Sequence, residues 1–433
     1  MAKLIDITGK AIPGEWGTED TEGTGIPVLR TTNFTNDGVV DYSDVVTRAI
    51  TKKSINEKYL RYGDIVIEKS GGSDKQPVGR VIFFQGNENT YLFNNFTGLL
   101  RVKEPSKWYP RYVFYALFAN YKTGGTRRFE NKTTGLHNLK TDDYVTSFDV
   151  KDNSLEVQMK ICSILDQTKE LINKSQKQLI KLDDLVKARF VEMFDSFDLA
   201  KQKTGWVPIS QVGTVVGGST PKTTVTEYWN GDYRWISPAE LKHDSGVIFD
   251  SIKKITRAGI DSCSLQELPI GTVILSSRAP IGKVAIAGTT MYCNQGFKNI
   301  ICGNRVIPRY LYSLLLFNTE YLNSLGRGAT FKELSKSIVE SIRIPLPEIK
   351  LQIQFEEFCK QIDKSKVVVQ KALLRRKMLE MIGYQEYFVC VWLQGCHWII
   401  WKSSFMMLPP RKTRQFRRGN AVKSWVLSLI SFT

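Results

Sequence analysis

From Asn153 to Phe194 the chain runs for about forty residues without a glycine or a proline, and this stretch limits the possible folds more than any other. Leu165, Ile172, Leu179, Val186 and Met193 recur every seven residues, and Ile161, Ile164, Leu171, Leu182 and Leu185 widen the stripe to one helical face. Asn153 followed by Glu156 has capping-box spacing, which predicts where the helix starts. At about 1.5 Å per residue it makes a rod roughly 60 Å long. A rod of that length in mid-chain has to bury its apolar stripe. Glu348 to Ile382 offers a partner of the same kind, with Phe355, Ile362, Val369 and Leu373 along its stripe.

The segments before each rod read as two versions of one module. Ile50-Thr51 corresponds to Ile255-Thr256, Gly63-Asp-Ile-Val-Ile to Gly271-Thr-Val-Ile-Leu, and Pro77-Val-Gly-Arg-Val to Pro280-Ile-Gly-Lys-Val. Pro110-Arg-Tyr matches Pro308-Arg-Tyr, Asn94-Asn95 falls beside Asn294-Gln295, Leu139 beside Leu334, and Leu155-Glu-Val-Gln158 beside Ile349-Lys-Leu-Gln352. The order of anchors is kept while loops change length, which marks duplicated domains rather than a solenoid. Within the first copy, Ile26 to Arg30, Asp64 to Glu68 and Gly79 to Phe84 are short β-type runs, and Pro110 opens an apolar helix.

The predicted class is therefore α+β. Two similar mixed α/β modules are joined by two long helices packed as an antiparallel coiled coil, with pseudo-two-fold symmetry. The expected divisions are 1–152 for the first module, 153–203 for the central helix and spacer, 204–346 for the second module, 347–382 for the second helix and 383–433 for a tail. The second helix, by analogy with the first, is due to reach about residue 388, but its pattern fades near Ile382. The tail holds four of the nine tryptophans and one acid, Glu386. It reads either as a basic arm around Arg411 to Arg418 or as an extension unmatched to the fold. Its lack of any period favours the second.

A formal charge of +17 points to a polyanionic partner, with nucleic acid the usual one. The charge does not depend on the tail, which holds seven of the 60 lysines and arginines. The seven cysteines form no CxxC pair, so neither a disulfide framework nor a zinc site is indicated, and a cytoplasmic location fits. The N-terminus has no apolar signal-peptide core, and the most apolar run, Tyr387 to Leu408, is broken by Gln394, His397 and Lys402, against a membrane span. There is no GxxxxGK[ST], no GxGxxG between strand and helix and no HExxH, and His137, His243 and His397 are scattered. Catalysis is not expected within this chain, and no metal site is expected.

What the repeated module does carry is small, polar and basic residues clustered in loops. In the first copy the expected DNA-binding residues are Lys69, Ser70, Ser73, Lys75, Arg80, Asn94, Arg127, Arg128, Lys132, Thr134 and His137. In the second they are Ser219, Thr220, Lys222, Thr223, Ser276, Ser277, Arg278, Lys283, Asn294, Gln295, Lys298, Arg327, Thr330 and Lys332. Arginine and lysine bind phosphate or pair with guanine, asparagine and glutamine pair with adenine, and serine and threonine serve either purpose. Any one of these residues is as readily an ordinary hydrophilic loop residue, whereas clusters recurring at matched places favour DNA contact. Leu165, Ile172, Leu179, Val186, Phe355, Ile362, Val369 and Leu373 are the expected pairing and partner-binding positions of the rods. The alternative is a coiled-coil scaffold or adaptor without sequence-specific DNA binding.

These residues resemble those of a known family, the specificity subunits of type I restriction–modification systems. The likeness spans residues 1 to about 382. It lies in Gly217-Gly-Ser-Thr-Pro-Lys-Thr, Glu227-Tyr-Trp-Asn-Gly-Asp, Trp235-Ile-Ser-Pro-Ala-Glu-Leu, Ser276-Ser-Arg-Ala-Pro-Ile-Gly, Asn294-Gln-Gly-Phe-Lys and Ile344-Pro-Leu-Pro-Glu-Ile with Gln352. Val28-Leu-Arg-Thr-Thr-Asn-Phe, Gly71-Gly-Ser-Asp and Val78-Gly-Arg are similar to parts of a first target-recognition domain. The resemblance implies two target-recognition domains reading the halves of a bipartite duplex DNA site. It also implies two methyltransferase (modification) subunits along the helices and translocating endonuclease (restriction) subunits on that core. S-adenosylmethionine, ATP and Mg2+ would belong to those partners, with no cofactor in this chain. The recognition partner of another restriction type is a further possibility under the same resemblance.

Overall fold

The computed structural model describes residues 1–388 except 53–54, 134–135, 196, 243, 279 and 329–331, with the backbone alone at 132–133, 136 and 244–245. The expectations for His243 and for the chain beyond Phe388 lie outside the described residues. The chain divides into two compact units, one of residues 1–164 together with the segment from Met381, the other of Leu165–Glu380. Both mix helix and strand, so the α+β class holds.

In the first unit the apolar run after Asp64 becomes the strand Ile65–Glu68, buried along its whole length. It is the third strand of a sheet ordered Ile12–Pro13, Thr97–Leu100, Ile65–Glu68, Val81–Phe83, antiparallel throughout. Such a strand needs cover on both faces. Leu29, Phe34, Leu60, Val66, Ile82, Phe84, Phe93 and Leu99 form one packed cluster, and the helix α1 (Pro110–Lys122), which buries nine of its thirteen residues, packs on the neighbouring strand with Phe114 against Phe83 (5.5 Å between ring centres). A second sheet runs Thr18–Glu19, Val46–Ala49, Ile26–Leu29, Leu92–Phe93, its last pair parallel. A third, Glu130–Thr133, Leu136–Leu139, Ser70–Gly72, carries most of the predicted polar loops of this copy.

The helix α2 (Leu155–Phe194) follows. Its cap is Ser154, whose Oγ accepts from the Val157 N–H at 3.4 Å. Asn153, the expected cap, instead turns its amide to the Tyr112 hydroxyl at 2.7 Å, because that buried phenol needs a partner.

The second unit repeats the arrangement. Its main sheet is ordered Gly213–Gly217, Lys298–Cys302, Val273–Leu275, Val284–Ala287, Asp244–Ile248, and a smaller one Lys253–Ile255, Trp229–Ile236, Tyr292–Cys293, again with a parallel last pair. The helix α3 (Pro308–Phe317) takes the place of α1, and α4 (Ile349–Phe388) begins where α2 does in the first copy.

The sequence repeat is thus a repeat of hydrogen bonds. Gln158 is fully buried: its Oε1 accepts from the Tyr109 N–H (2.8 Å), and its Nε2 donates to the carbonyls of Lys107 (3.0 Å) and Asn153 (2.8 Å). Gln352, also fully buried, does the same with Ile307 N–H (2.8 Å), Arg305 (3.2 Å) and Pro347 (2.8 Å). Tyr112 donates to the Lys151 carbonyl at 3.0 Å and Tyr310 to that of Pro345 at 2.9 Å. Gly79 (φ +98°) and Gly282 (φ +91°) are a pair as well. A Cβ at either would stand under 3 Å from a threonine methyl, Thr126 or Thr319, in a conformation that disfavours any side chain.

Within the second unit α2 and α4 pack with opposite chain direction. Phe355 lies against Phe190 and Phe194 (5.2 and 5.5 Å between ring centres), Lys366 pairs with Asp183, and Arg376 reaches Ser175 Oγ and the Leu171 carbonyl. Leu165, Ile172, Phe355 and Ile362 are buried, and Leu179, Val186, Val369 and Leu373 half-buried. Leu165, Ile172, Phe355 and Ile362 therefore face inward, where a partner protein does not reach them, whereas Leu179 and Val186 line an open groove.

The second helix also runs to Phe388, six residues beyond the end expected at Ile382. Gly383 costs a helix interior only about 1 kcal/mol. Tyr384 and Phe388, four apart on one face, are buried in the first unit against Tyr115 and Phe118 and against Tyr112. Residues 383–388 thus belong to the fold and not to the tail.

Candidate nucleic-acid interface

In the first unit the polar loop after Ser70–Gly72 is folded back on the hairpin 130–139. The Ser73 N–H donates to the Gln76 carbonyl (2.6 Å), and Ser73 Oγ accepts from the Gln76 N–H (3.2 Å), closing a turn. Arg127 Nη2 donates to the Asp74 carbonyl (3.3 Å). His137 stands between Glu130 Oε2 (3.2 Å from Nδ1) and Asp74 Oδ1 (3.7 Å from Nε2), while Glu130 Oε1 accepts from the Val78 N–H (3.0 Å). The loop is therefore positioned by a buried histidine and a carboxylate, which leaves Ser73, Lys75, Arg127 and Arg128 exposed together. Lys69 and Ser70 are half-buried beside it, and burial pushes the Lys69 ammonium below its ordinary range.

Three expected contacts of this unit turn inward. Arg80 donates to the carbonyls of Phe34 (2.7 Å) and Thr31 (2.8 Å) and pairs with Glu68 (3.2 Å), so its guanidinium braces the module. Burial holds the Glu68 carboxyl above its ordinary range, with Arg80 opposing the rise. Asn94 and His137 are buried. Thr134 and the side chain of Lys132 lie outside the described residues.

In the second unit Thr220 Oγ1 donates to Gln295 Oε1 (2.5 Å), bringing the loops 217–223 and 294–295 together. Two tryptophans hold the first loop from beneath: Trp235 Nε1 donates to the Ser219 carbonyl (3.1 Å) and Trp229 Nε1 to that of Lys222 (3.3 Å). Lys222, Thr223 and Gln295 are exposed, and Ser219, Thr220 and Asn294 half-buried. A second group gathers around Glu333, whose carboxylate pairs with Arg278 (3.7 Å) and Lys298 (3.3 Å), with Arg327 and Lys332 exposed nearby. Ser276 and Ser277 are fully buried, Ser276 Oγ donating to the Pro280 carbonyl (2.7 Å), and Lys283 donates to the Pro238 carbonyl (2.8 Å). These three shape the loop from inside, contrary to expectation. Thr330 lies outside the described residues.

What sequence reasoning missed are the acids. Glu68 ties up Arg80, and Glu333 restrains Arg278 and Lys298, and only their position in space reveals it. Among the described residues no group of three or more His, Cys, Asp or Glu is placed to hold a metal ion, and no helix is long and apolar enough to cross a membrane. Burial pushes the thiols of Cys293, Cys302 and Cys359 up to about 12, far from the reactive thiolate. An open groove of the second unit, lined by Leu179, Phe249, Tyr312 and Phe317, holds the ion pairs Arg309–Asp363 and Lys366–Asp183 and none of the polar loops.

Comparison with known proteins places these loops on a described scaffold. Residues 203–375 match the family model of the type I restriction modification DNA specificity domain. The second unit is thus similar to a DNA specificity domain. The chain is a relative of the type I restriction enzyme MjaIX specificity subunit of Methanocaldococcus jannaschii, 42% identical over 168 residues, an alignment covering 38% of this chain and 39% of that protein. A second protein of that organism, named provisionally as the MjaX specificity subunit, is 22% identical across 88% of this chain and 92% of its own length. The crystal structure of a type I restriction-modification system S subunit from M. genitalium has the same fold, with a TM-score of 0.52 at 14% identity over 89% of this chain and 95% of that one. The resemblance read from the motifs of the second module thus holds, and the matched stretch spans the second polar cluster and much of α4.

Proposed function

We propose that this chain is the non-catalytic DNA-specificity subunit of a type I restriction–modification enzyme. Each globular unit reads one half of a bipartite duplex target, and the long helices set the unread gap between the halves and dock two methyltransferase subunits, onto which endonuclease subunits assemble. Methyl donor, ATP and Mg2+ belong to those partners, and the complex works in the cytoplasm. The observation that carries this reading is the repeat itself. The same buried hydrogen-bond frame occurs twice, at Gln158 and at Gln352, and each of the two units that carry it also presents exposed basic and polar loops. Two equivalent readers on one chain suit a target of two short sequences, since duplex DNA presents its grooves periodically.

Selection from a randomised duplex library with the full chain, with and without methyltransferase subunits, tests this. One motif of two blocks with a fixed spacing is expected. Recovery of no motif, together with an affinity indifferent to salt between about 0.05 and 0.2 M, would leave the scaffold reading in its place.

A further inference from the structure

The three-stranded layer of the first unit and its counterpart in the second carry different chemistry on one and the same cross-strand row. In the first unit Asn138 is the middle member, opposite Ser70 on one side and Asn131 on the other, and Ser70 Oγ donates to Asn138 Oδ1 at 2.5 Å. In the second, Glu333 is the middle member, opposite Arg278 and Arg327. The next residue along fixes the equivalence: the Leu139 N–H donates to the Lys69 carbonyl (2.8 Å) and the Leu334 N–H to the Ser277 carbonyl (2.9 Å). Directly opposed residues of neighbouring antiparallel strands present their side chains on one face. A face that carries three neutral polar groups in one unit therefore carries a carboxylate between two arginines in the other.

Glu333 restrains its cations without sealing them in. It lies 3.7 Å from Arg278 and 3.3 Å from Lys298, and Lys298 also donates to Ser277 Oγ at 3.4 Å. The side chains of Arg278 and Glu333 are 38% and 39% exposed, that of Lys298 only 15%. A carboxylate shared by two cations on an exposed row has the charge and the acceptor geometry of a DNA phosphate.

We propose that Glu333 is a specificity-determining residue of the second unit, an internal stand-in for DNA that Arg278 and Lys298 leave only for a duplex whose acceptors replace it. This rests on the proposal that the units read duplex DNA. Specificity is a difference of affinities. An unrestrained pair of cations gains from any phosphate, whereas a pair already satisfied gains only where bidentate base acceptors do better than the carboxylate, and elsewhere the uncovered Glu333 repels the backbone. The first unit needs no counter-charge here, because its row is neutral.

The test uses the full chain, one arbitrary 40-bp duplex titrated over a series of KCl concentrations, and a randomised duplex library. Glu333→Gln is expected to bind the arbitrary duplex about tenfold more tightly near 0.1 M salt, with the log–log salt slope steeper by about 1. It is also expected to blur one half of the selected motif and leave the other sharp. Adding Arg278→Gln to Glu333→Gln reverses most of that gain, while the thermal midpoint stays at that of the single variant. A Glu333→Gln chain that binds as the unaltered chain does, or more weakly, overturns the role of Glu333 and leaves the DNA reading standing when the unaltered chain selects a motif. An unaltered chain that selects no motif overturns both.

Discussion

Replacing Gln158 by methionine tests the frame on which both units are built. Methionine keeps the length and most of the volume, so the change isolates the hydrogen bonds from any cavity. Three bonds of 2.8, 3.0 and 2.8 Å are lost, from the Tyr109 N–H and to the carbonyls of Lys107 and Asn153, at a side chain with no exposed surface. A buried backbone group left without a partner costs about 1–3 kcal/mol, and partial re-pairing brings the sum for one N–H and two carbonyls to about 3 kcal/mol. For a unit of about 200 residues this lowers the melting midpoint by roughly 6–12 °C. Gln352→Met removes the equivalent bonds of 2.8, 3.2 and 2.8 Å in the second unit and is expected to cost the same to within about 1 kcal/mol. Urea titration followed by tryptophan fluorescence and by helical circular dichroism, for the unaltered chain and both variants, gives the two values. A loss below about 0.5 kcal/mol in either, or a difference between them above about 2 kcal/mol, refutes the inference that one frame occurs twice.

Phe355→Ala empties a site enclosed by Phe190 and Phe194 and is expected to cost about 3–5 kcal/mol; an unfolding midpoint unmoved by it would mean that α2 and α4 do not pack in solution as described. Lys222→Gln, at an exposed position of the loop held by Trp229, is expected to change binding only at the half-site of the second unit or to lower the salt slope by about 1, and library selection in which the other block changed would refute the modular assignment. Glu68, whose carboxyl burial holds above its ordinary range, binds a proton more tightly folded than unfolded, so the folded state gains stability as pH falls through the raised value and loses it as pH rises. The stability of the unaltered chain relative to Glu68→Gln is therefore expected to improve from pH 7 to pH 5; a flat or opposite trend in urea titrations would show that Arg80 outweighs burial.

The long helix was legible because its signal is periodic and uninterrupted: α2 ends at the expected Phe194, and the heptad residues Leu165 and Ile172 are buried, with Leu179, Val186 and Met193 half-buried, while Leu171 and Leu185 at the edge of the stripe stay exposed. The start was off by one residue, since Asn153 and Ser154 are both good caps and only the nearby Tyr112 hydroxyl decides between them. The end of α4 was missed for a similar reason. Gly383 reads locally as a stop, and the aromatic pocket of Tyr112, Tyr115 and Phe118 that holds Tyr384 and Phe388 is built from residues some 270 positions earlier. Propensity is a weak prior that tertiary packing overrides.

The candidate interface was legible as a set of loops and not as a set of residues. Arg80 and Lys75 are both cations of one glycine-rich segment, yet one braces Thr31, Phe34 and Glu68 while the other stands in solvent. Lys298 and Lys222 divide in the same way. What separates them is a carboxylate distant in sequence, and no local pattern announces it. The same fact explains how one frame can carry two different faces. The bonds of Gln158 and Gln352 are buried at the helix starts, whereas the row Ser70–Asn138–Asn131 and its counterpart Arg278–Glu333–Arg327 is accessible and contributes no apolar core. Substitution on the row leaves the frame's buried donors and acceptors paired, so its cost stays in the range of ordinary surface changes, about 0.5 kcal/mol. Its effect on charge at the same place is a full unit per residue. Stability and the charge of the row are thus carried by different atoms, and a copied module is free to change that row without refolding.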